Sequence, residues 1–390
     1  MRCAIRGAWA AIGAMALLAR TASAEKQWLQ YRVLDESEQA AAGNLQYIQC
    51  AVAKDAPAGA EMPEFKASDP FFASWATPMA PQGKVLVALD RSSKKGQYDL
   101  LYVDSNCSGS LRDKKPIRAK GVYEFGADFG PVKIRLPGED GPISYHLSFH
   151  LRTQDDNRQL YAGSNCVYEG SVQIGGKSLH CMLLDHDCNG TFDDVSGDFA
   201  KTDLIRLGEN NKAVTYFAGK YLALDGALYQ PKPSRDGACI EFEPAGDVAM
   251  GAVHAKNAVT QLSLGGENGL FHLADGAGAV PAGRYALYSW KIERKDADNA
   301  KWTLTAQTYG AGGVIEVKPG QEAVLDVGEP ITCKLGAVSQ GGGYQISETL
   351  CARLGENIRI ERNDSLADAP RVKVTSKDGA FSKIYIAEYG

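Results

Sequence analysis

Five Asp-Gly dipeptides, starting at Asp140, Asp225, Asp236, Asp275 and Asp378, punctuate the chain between short runs of β-forming residues. Asp-Gly tolerates the positive φ angles of tight hairpin turns, so the pattern favours antiparallel strands over helices. Runs at 84–89, 98–103, 143–149, 213–217 and 301–306 are the clearest strand candidates. Glycine supplies 42 of 390 residues, and glycine is unfavourable in helix interiors. Helical patterning is confined to 35–42, ending at Gly43, and to 69–75, where Asp69-Pro70 would open a first turn. The expected fold is mainly β, with tandem β-sandwich-like domains and few short helices.

Residues 1–24 carry Arg2 and Arg6, then an apolar run from Ala8 to Ala19, then Ala22-Ser23-Ala24. That order is the pattern of a secretory leader with a small-x-small cleavage site. The apolar run is shorter than the roughly 20 residues needed to span a bilayer, and no other stretch reaches that length. The sequence therefore predicts an exported protein of the periplasm, cell surface or extracellular space, with no membrane span. Cleavage takes Arg2, Arg6 and Arg20 from 42 basic residues and none of the 47 acidic ones, leaving a net charge of −8. An acidic balance of this kind argues against a nucleic-acid partner.

Beyond the leader, an N-terminal segment (25–83), a β domain (84–245), a third section (246–328) and a last set of strands (329–390) are expected from breaks at Pro244-Ala245-Gly246 and Glu329-Pro330. The β domain contains an internal repeat. Residues 104–113 read DSNCSGSLRD and residues 185–194 read DHDCNGTFDD, each after an apolar strand. The second copy offers oxygen ligands at alternate positions from Asp185, Asp187 and Asn189, a turn glycine at Gly190, the Thr191 carbonyl, and Asp193 at the ninth position. A hard cation takes six to eight oxygens, and alternate side chains of a tightly curled loop converge on one. These residues resemble the calcium loops of EF-hands and dockerins. The resemblance implies calcium as cofactor. Ser196 stands where such loops place a bidentate acid, and Asp194 or Asp198 is the nearest substitute. The first copy keeps Asp104 and Asn106 but has Ser108 and Arg112 at the fifth and ninth positions, which favours a plain turn.

Eight cysteines follow the leader, an even number that suggests disulfides in an exported chain. A hairpin centred on Gly342 would set Cys333 opposite Cys351, within bridging range. Cys107 and Cys188 share the fourth position of their loops. A zinc site from His180, Cys181, His186 and Cys188 is a weaker alternative, because the paired ligand spacings of zinc sites are missing. His146 and His150 fall on one face of a strand, where a polar solvent-facing pair is the simpler reading.

Val280-Pro281-Ala282-Gly283-Arg284-Tyr285 steps through a turn into a strand. With its flanking strands, it resembles the carboxypeptidase-regulatory and prealbumin-like β-sandwiches, which implies a structural or accessory module. Residues 331–390 suggest immunoglobulin-like strands. Together with the leader and the repeated loop, these features resemble uncharacterised exported bacterial proteins of modular β architecture. No G-x-S-x-G, H-E-x-x-H or phosphate-loop motif occurs, and Ser92-x-x-Lys95 lies in a polar turn. The sequence thus points to a non-catalytic exported β protein with a calcium loop, serving surface structure, adhesion or ligand binding. The alternatives are a secreted hydrolase, or a carbohydrate-binding protein for a cell-surface polysaccharide using Trp75, Tyr145, Trp290 or Trp302 as stacking platforms.

Overall fold

The computed structural model describes residues 25–387 apart from 36, 39–45, 94–95, 139–140, 155–156 and 309–312. The expected leader at 1–24 lies outside the described residues. The chain is almost all β. Besides a capped turn at 35–38, helical structure among the described residues is limited to two 3-10 turns, Phe199–Lys201 and Asn210–Lys212. No helix among them is long and apolar enough to cross a membrane.

Four sheets enclose the first and largest core. One runs in the order Ala51–Ala53, Phe71–Ala76, Lys84–Asp90, Leu100–Val103 and Ile117–Arg118. A second runs Tyr47–Gln49, Asn157–Ser164, Ile143–Gln154, Gly126–Leu136 and Gly121–Tyr123. A third runs Val214–Phe217, Leu204–Leu207, Lys177–Leu184, Cys166–Ile174 and Gln30–Val33. The fourth pairs Gln27–Trp28, Cys239–Pro244, Ala227–Pro233 and Leu222–Leu224. Their inward alternation buries one cluster from Leu29 to Phe242 that includes Trp75, Phe129, Tyr145, Phe149 and Phe192. The expected break between 83 and 84 is corrected. Residues 25–83 supply strands to all four sheets, so they share this core.

A second core extends from Val253 to Ala352. Its main sheet runs from Gly269–Ala274 through Gln261–Gly266, Gly283–Lys295, Lys301–Gln307 and Asn357–Arg362 to Gly343–Cys351 and Thr332–Gln340. Trp302 pairs with Arg362 across the expected boundary at 328/329, so the strands of 329–366 continue this sheet. Tyr285, on the far side of the Pro281–Gly283 turn, is buried against Phe271 and donates its hydroxyl to Pro281 O at 2.7 Å. A small cluster, Leu34, Val167, Leu184, Phe199, Leu204, Phe217 and Leu270, joins the two regions.

Two local expectations change. The helix expected at 69–75 is the strand Phe71–Ala76, held on both sides by Ala51–Ala53 and Lys84–Asp90. Two phenylalanines and a tryptophan in six residues give more buried area as a central strand than as one exposed turn. The helix expected at 35–42 falls mostly outside the described residues. Its first turn shows a reciprocal cap: Glu38 N donates to Asp35 Oδ1 at 2.8 Å and Asp35 N to Glu38 Oε2 at 3.0 Å.

The expected Cys333–Cys351 opposition is also corrected. Gln340 pairs with Gly343, so the turn is the two residues Gly341 and Gly342, with φ of 59° and 82°. That geometry centres the hairpin between the two glycines and not on Gly342. The shift sets Cys351 opposite Thr332 and Cys333 opposite Leu350. Successive side chains of a strand face opposite ways, so the two thiols lie on different faces, Cys333 exposed and Cys351 buried. All eight described cysteines are free thiols.

Candidate metal centre

The two repeated loops share one backbone. Asp104 Oδ1 accepts from Ser108 N at 3.0 Å and its Oδ2 from Gly109 N at 2.6 Å. Asp185 Oδ1 accepts from Asn189 N at 3.1 Å and its Oδ2 from Gly190 N at 2.6 Å. Cys107 and Cys188 both take left-handed conformations, with φ of 54° and 55°. Non-glycine residues rarely do so, and here the first carboxylate holds the curl by accepting from the two amides that follow. Leu111 and Phe192 at the eighth position are both fully buried. Their amides donate out of the loop, to Glu61 O at 2.8 Å and Arg235 O at 3.0 Å.

The second loop lies at the end of strand Lys177–Leu184, against Trp75 and Tyr145. Trp75 Nε1 donates to Cys188 O at 2.7 Å and stacks on Tyr145 at 5.4 Å. Tyr145 donates its hydroxyl to Asp185 Oδ2 at 2.6 Å. Asp185, Asp187 and Asp203 each present a carboxylate oxygen, all within 4.8 Å of one another. Asp187 Oδ1 is buried and has no hydrogen-bond partner. Asp203 Oδ1 accepts from His186 N at 3.0 Å and Oδ2 from Asp194 N at 2.8 Å. His186 in turn is 2.7 Å from Gln46 Nε2, which ties the loop to the strand Tyr47–Gln49.

Of the expected ligands, Asp185 and Asp187 come together in this group. Asn189 and Thr191 lie beside it but are turned to one another: Asn189 Oδ1 accepts from Thr191 N at 2.9 Å and Oγ1 at 2.7 Å. Asn189 Nδ2 donates to Asp187 Oδ2 at 3.2 Å and Asp194 Oδ2 at 2.9 Å. Asp193 is outside the group, facing Asp194 and Arg235. Asp198 caps a 3-10 turn instead, accepting from Ala200 N at 3.1 Å. Asp203 is the member that motif reading missed. Leu204 pairs with Leu184, so an antiparallel register continues to Asp203 beside Asp185, and the signal was the strand pairing and not the loop.

Burial raises the pKa of Asp185, and the neighbouring Asp187 adds to it. Asp187 is pushed up by burial and by Asp194, and Asp203 by burial and by Asp185. Among the described residues no lysine or arginine pairs with these carboxylates. The first loop is different. Lys114 Nζ lies 3.5 Å from Asp104 Oδ1 and donates to Asn106 Oδ1, placing an ammonium over the matching carboxylate. The equivalent residue of the second loop is Val195, which is exposed.

The other sequence candidates scatter. His180 faces Glu169 at 3.8 Å, while Cys181 and Cys188 are buried in the core, so the zinc alternative does not assemble. His146 meets Tyr31 and His150 meets Asp128, each at 2.5 Å. Trp75, Tyr145 and Trp290 are core residues, and Trp302 is half-buried with its indole N–H on Asp296. None of the four presents an open platform. Comparison with protein-family models, curated proteins and solved structures finds no match.

Proposed function

We propose that Asp185, Asp187 and Asp203, with the loop 185–194, form a structural divalent-cation site in an exported, non-catalytic β protein. The carrying observation is the contrast between the twin loops. One holds a lysine ammonium over its first carboxylate, while the other gathers three carboxylates with no basic side chain among them. An all-oxygen donor set suits a hard cation, and the flexible, carboxylate-rich loop suits calcium better than the strict octahedron of magnesium. Asp187 Oδ1, buried without a partner, is the oxygen best disposed to bind it. Asp185 and Asp203 each hold two loop amides as well, so a bound ion would fix strands 177–184 and 204–207 at their ends. The leader-like segment 1–24 places this role outside the cytoplasm, in surface structure, adhesion or ligand binding.

Thermal denaturation of the full chain in calcium and in chelator tests the reading. An ion bound to the folded state alone at 100 times its Kd adds about 2.7 kcal/mol, so the melting temperature rises by several degrees. An unchanged melting temperature at millimolar calcium overturns it.

A further inference from the structure

The sheet that begins with Tyr47–Gln49 packs one face on the core and turns the other to solvent. On the outer face the register lines up Gln49, Tyr161, His150 and Asp128 across four adjacent strands. The fifth strand adds Tyr123, whose hydroxyl donates to Asp128 Oδ2 at 2.8 Å. His150 Nδ1 lies 2.5 Å from Asp128 Oδ1. Arg152 sits 5.3 Å above the Tyr161 ring.

Two of the tyrosines are laid on glycines. A Cβ at Gly163 would come within 2.5 Å of the Tyr47 ring, and one at Gly121 within 2.5 Å of the Tyr123 hydroxyl and 2.9 Å of its ring. The rings therefore lie down on bare backbone where any other residue would lift them away. Tyr47 keeps 49 % and Tyr123 57 % of its surface exposed. Tyr47 also meets the His150 ring edge-on at 4.6 Å, which fixes its tilt.

We propose that this face binds a neutral polysaccharide chain lying across the strands. Tyr47 and Tyr123 stack against the C–H faces of sugar rings, and Gln49, His150 and Asp128 take the hydroxyls. Five strands at about 4.8 Å spacing give a track of about 19 Å from Tyr47 to Tyr123, enough for a short run of sugar rings. The ring-and-hydroxyl mix decides the ligand class. The outward positions of these rows are aromatic or polar and include no aliphatic residue, whereas the centre of a protein interface is apolar and poor in charge. Asp128 and His150 balance one another and the chain is acidic overall, which disfavours a polyanion.

The test uses the full chain in calcium-containing buffer, so that its failure is separate from that of the cation site. Retention is measured on insoluble cellulose and chitin, and calorimetry with soluble β-1,3-glucan and mannan. Binding to at least one is expected. Tyr47→Ala and Gln49→Ala should each weaken it by about fivefold or more, while Tyr47→Phe, which keeps the ring, should leave it within about twofold. Each variant is first shown to melt as wild type, and Gln49→Ala, at an exposed edge position, serves if Tyr47→Ala does not fold. No binding to any of the four glycans overturns the proposal. So does binding that survives these substitutions, or a protein ligand on this face without glycan retention.

Discussion

Loops 104–113 and 185–194 start from the same backbone and solve the same electrostatic problem differently. Each buries a first-position aspartate, Asp104 or Asp185, whose oxygens accept from the fifth and sixth amides. In the first loop, Lys114 completes the charge balance from within the chain, and Arg112 turns away to Glu61 at 3.0 Å. In the second, Asp187 and Asp203 add negative charge where the first copy has Asn106 and a lysine. A tethered ammonium makes its loop independent of solution conditions. A bare carboxylate group makes its loop depend on protons or on a metal, because several buried charges of one sign are unfavourable together.

The largest effect that could break this contrast is Asp185→Ala. It leaves the Tyr145 hydroxyl and two loop amides without their acceptor, so a loss of about 3–5 kcal/mol is expected in urea unfolding. Any calcium-dependent rise in stability should vanish with it, whereas Asp104→Ala should keep that rise. Next comes Lys114→Met. Removing the cation from nearly buried Asp104 should lower stability by about 1–3 kcal/mol, and the loss should shrink when Asp104→Asn is already present. An additive double mutant would break the tethered-cation account.

The proton dependence follows in size. Burial lifts Asp185 to about 7 and Asp187 to about 6 in the cation-free fold, above the usual carboxylate value. The folded state then binds protons more tightly than the unfolded one, so cation-free stability should fall as pH rises from about 4 to about 7. Calcium competes with those protons, so the stabilisation it confers should grow over the same range. Urea midpoints at pH 4.5 and 7, with calcium and with chelator, read both signs. The smallest change is Asp193→Asn. This residue is outside the carboxylate group, so its stability and calcium response should stay within about 0.5 kcal/mol of wild type.

Much of the first comparison was legible in the sequence. The repeat, the curl around Asp104 and Asp185, and the buried eighth residue all follow from local spacing, because an Asx-type loop is set by its own residues. Asp203 was not legible in that way, since it reaches the loop through the pairing of Leu184 with Leu204. Lys114 was missed for a related reason: motif reading stops at the ninth position, and a long side chain folds back from the eleventh. Strand content was readable from Asp-Gly turns and β-forming runs. Domain borders were not, because sheet partners are non-local. Trp302 meets Arg362 and Tyr47 meets Gly163 across long stretches of chain. The Cys333 expectation failed by a single residue, and in a strand one residue exchanges faces.

The most direct measurement is a calorimetric calcium titration of the full chain beside its Asp187→Asn and Asp104→Asn variants. One calcium per chain, lost in Asp187→Asn and kept in Asp104→Asn, is the result predicted by a cation-seeking second loop and a self-neutralised first loop. No calcium bound to the wild type, or a site lost with Asp104 and kept without Asp187, would contradict it.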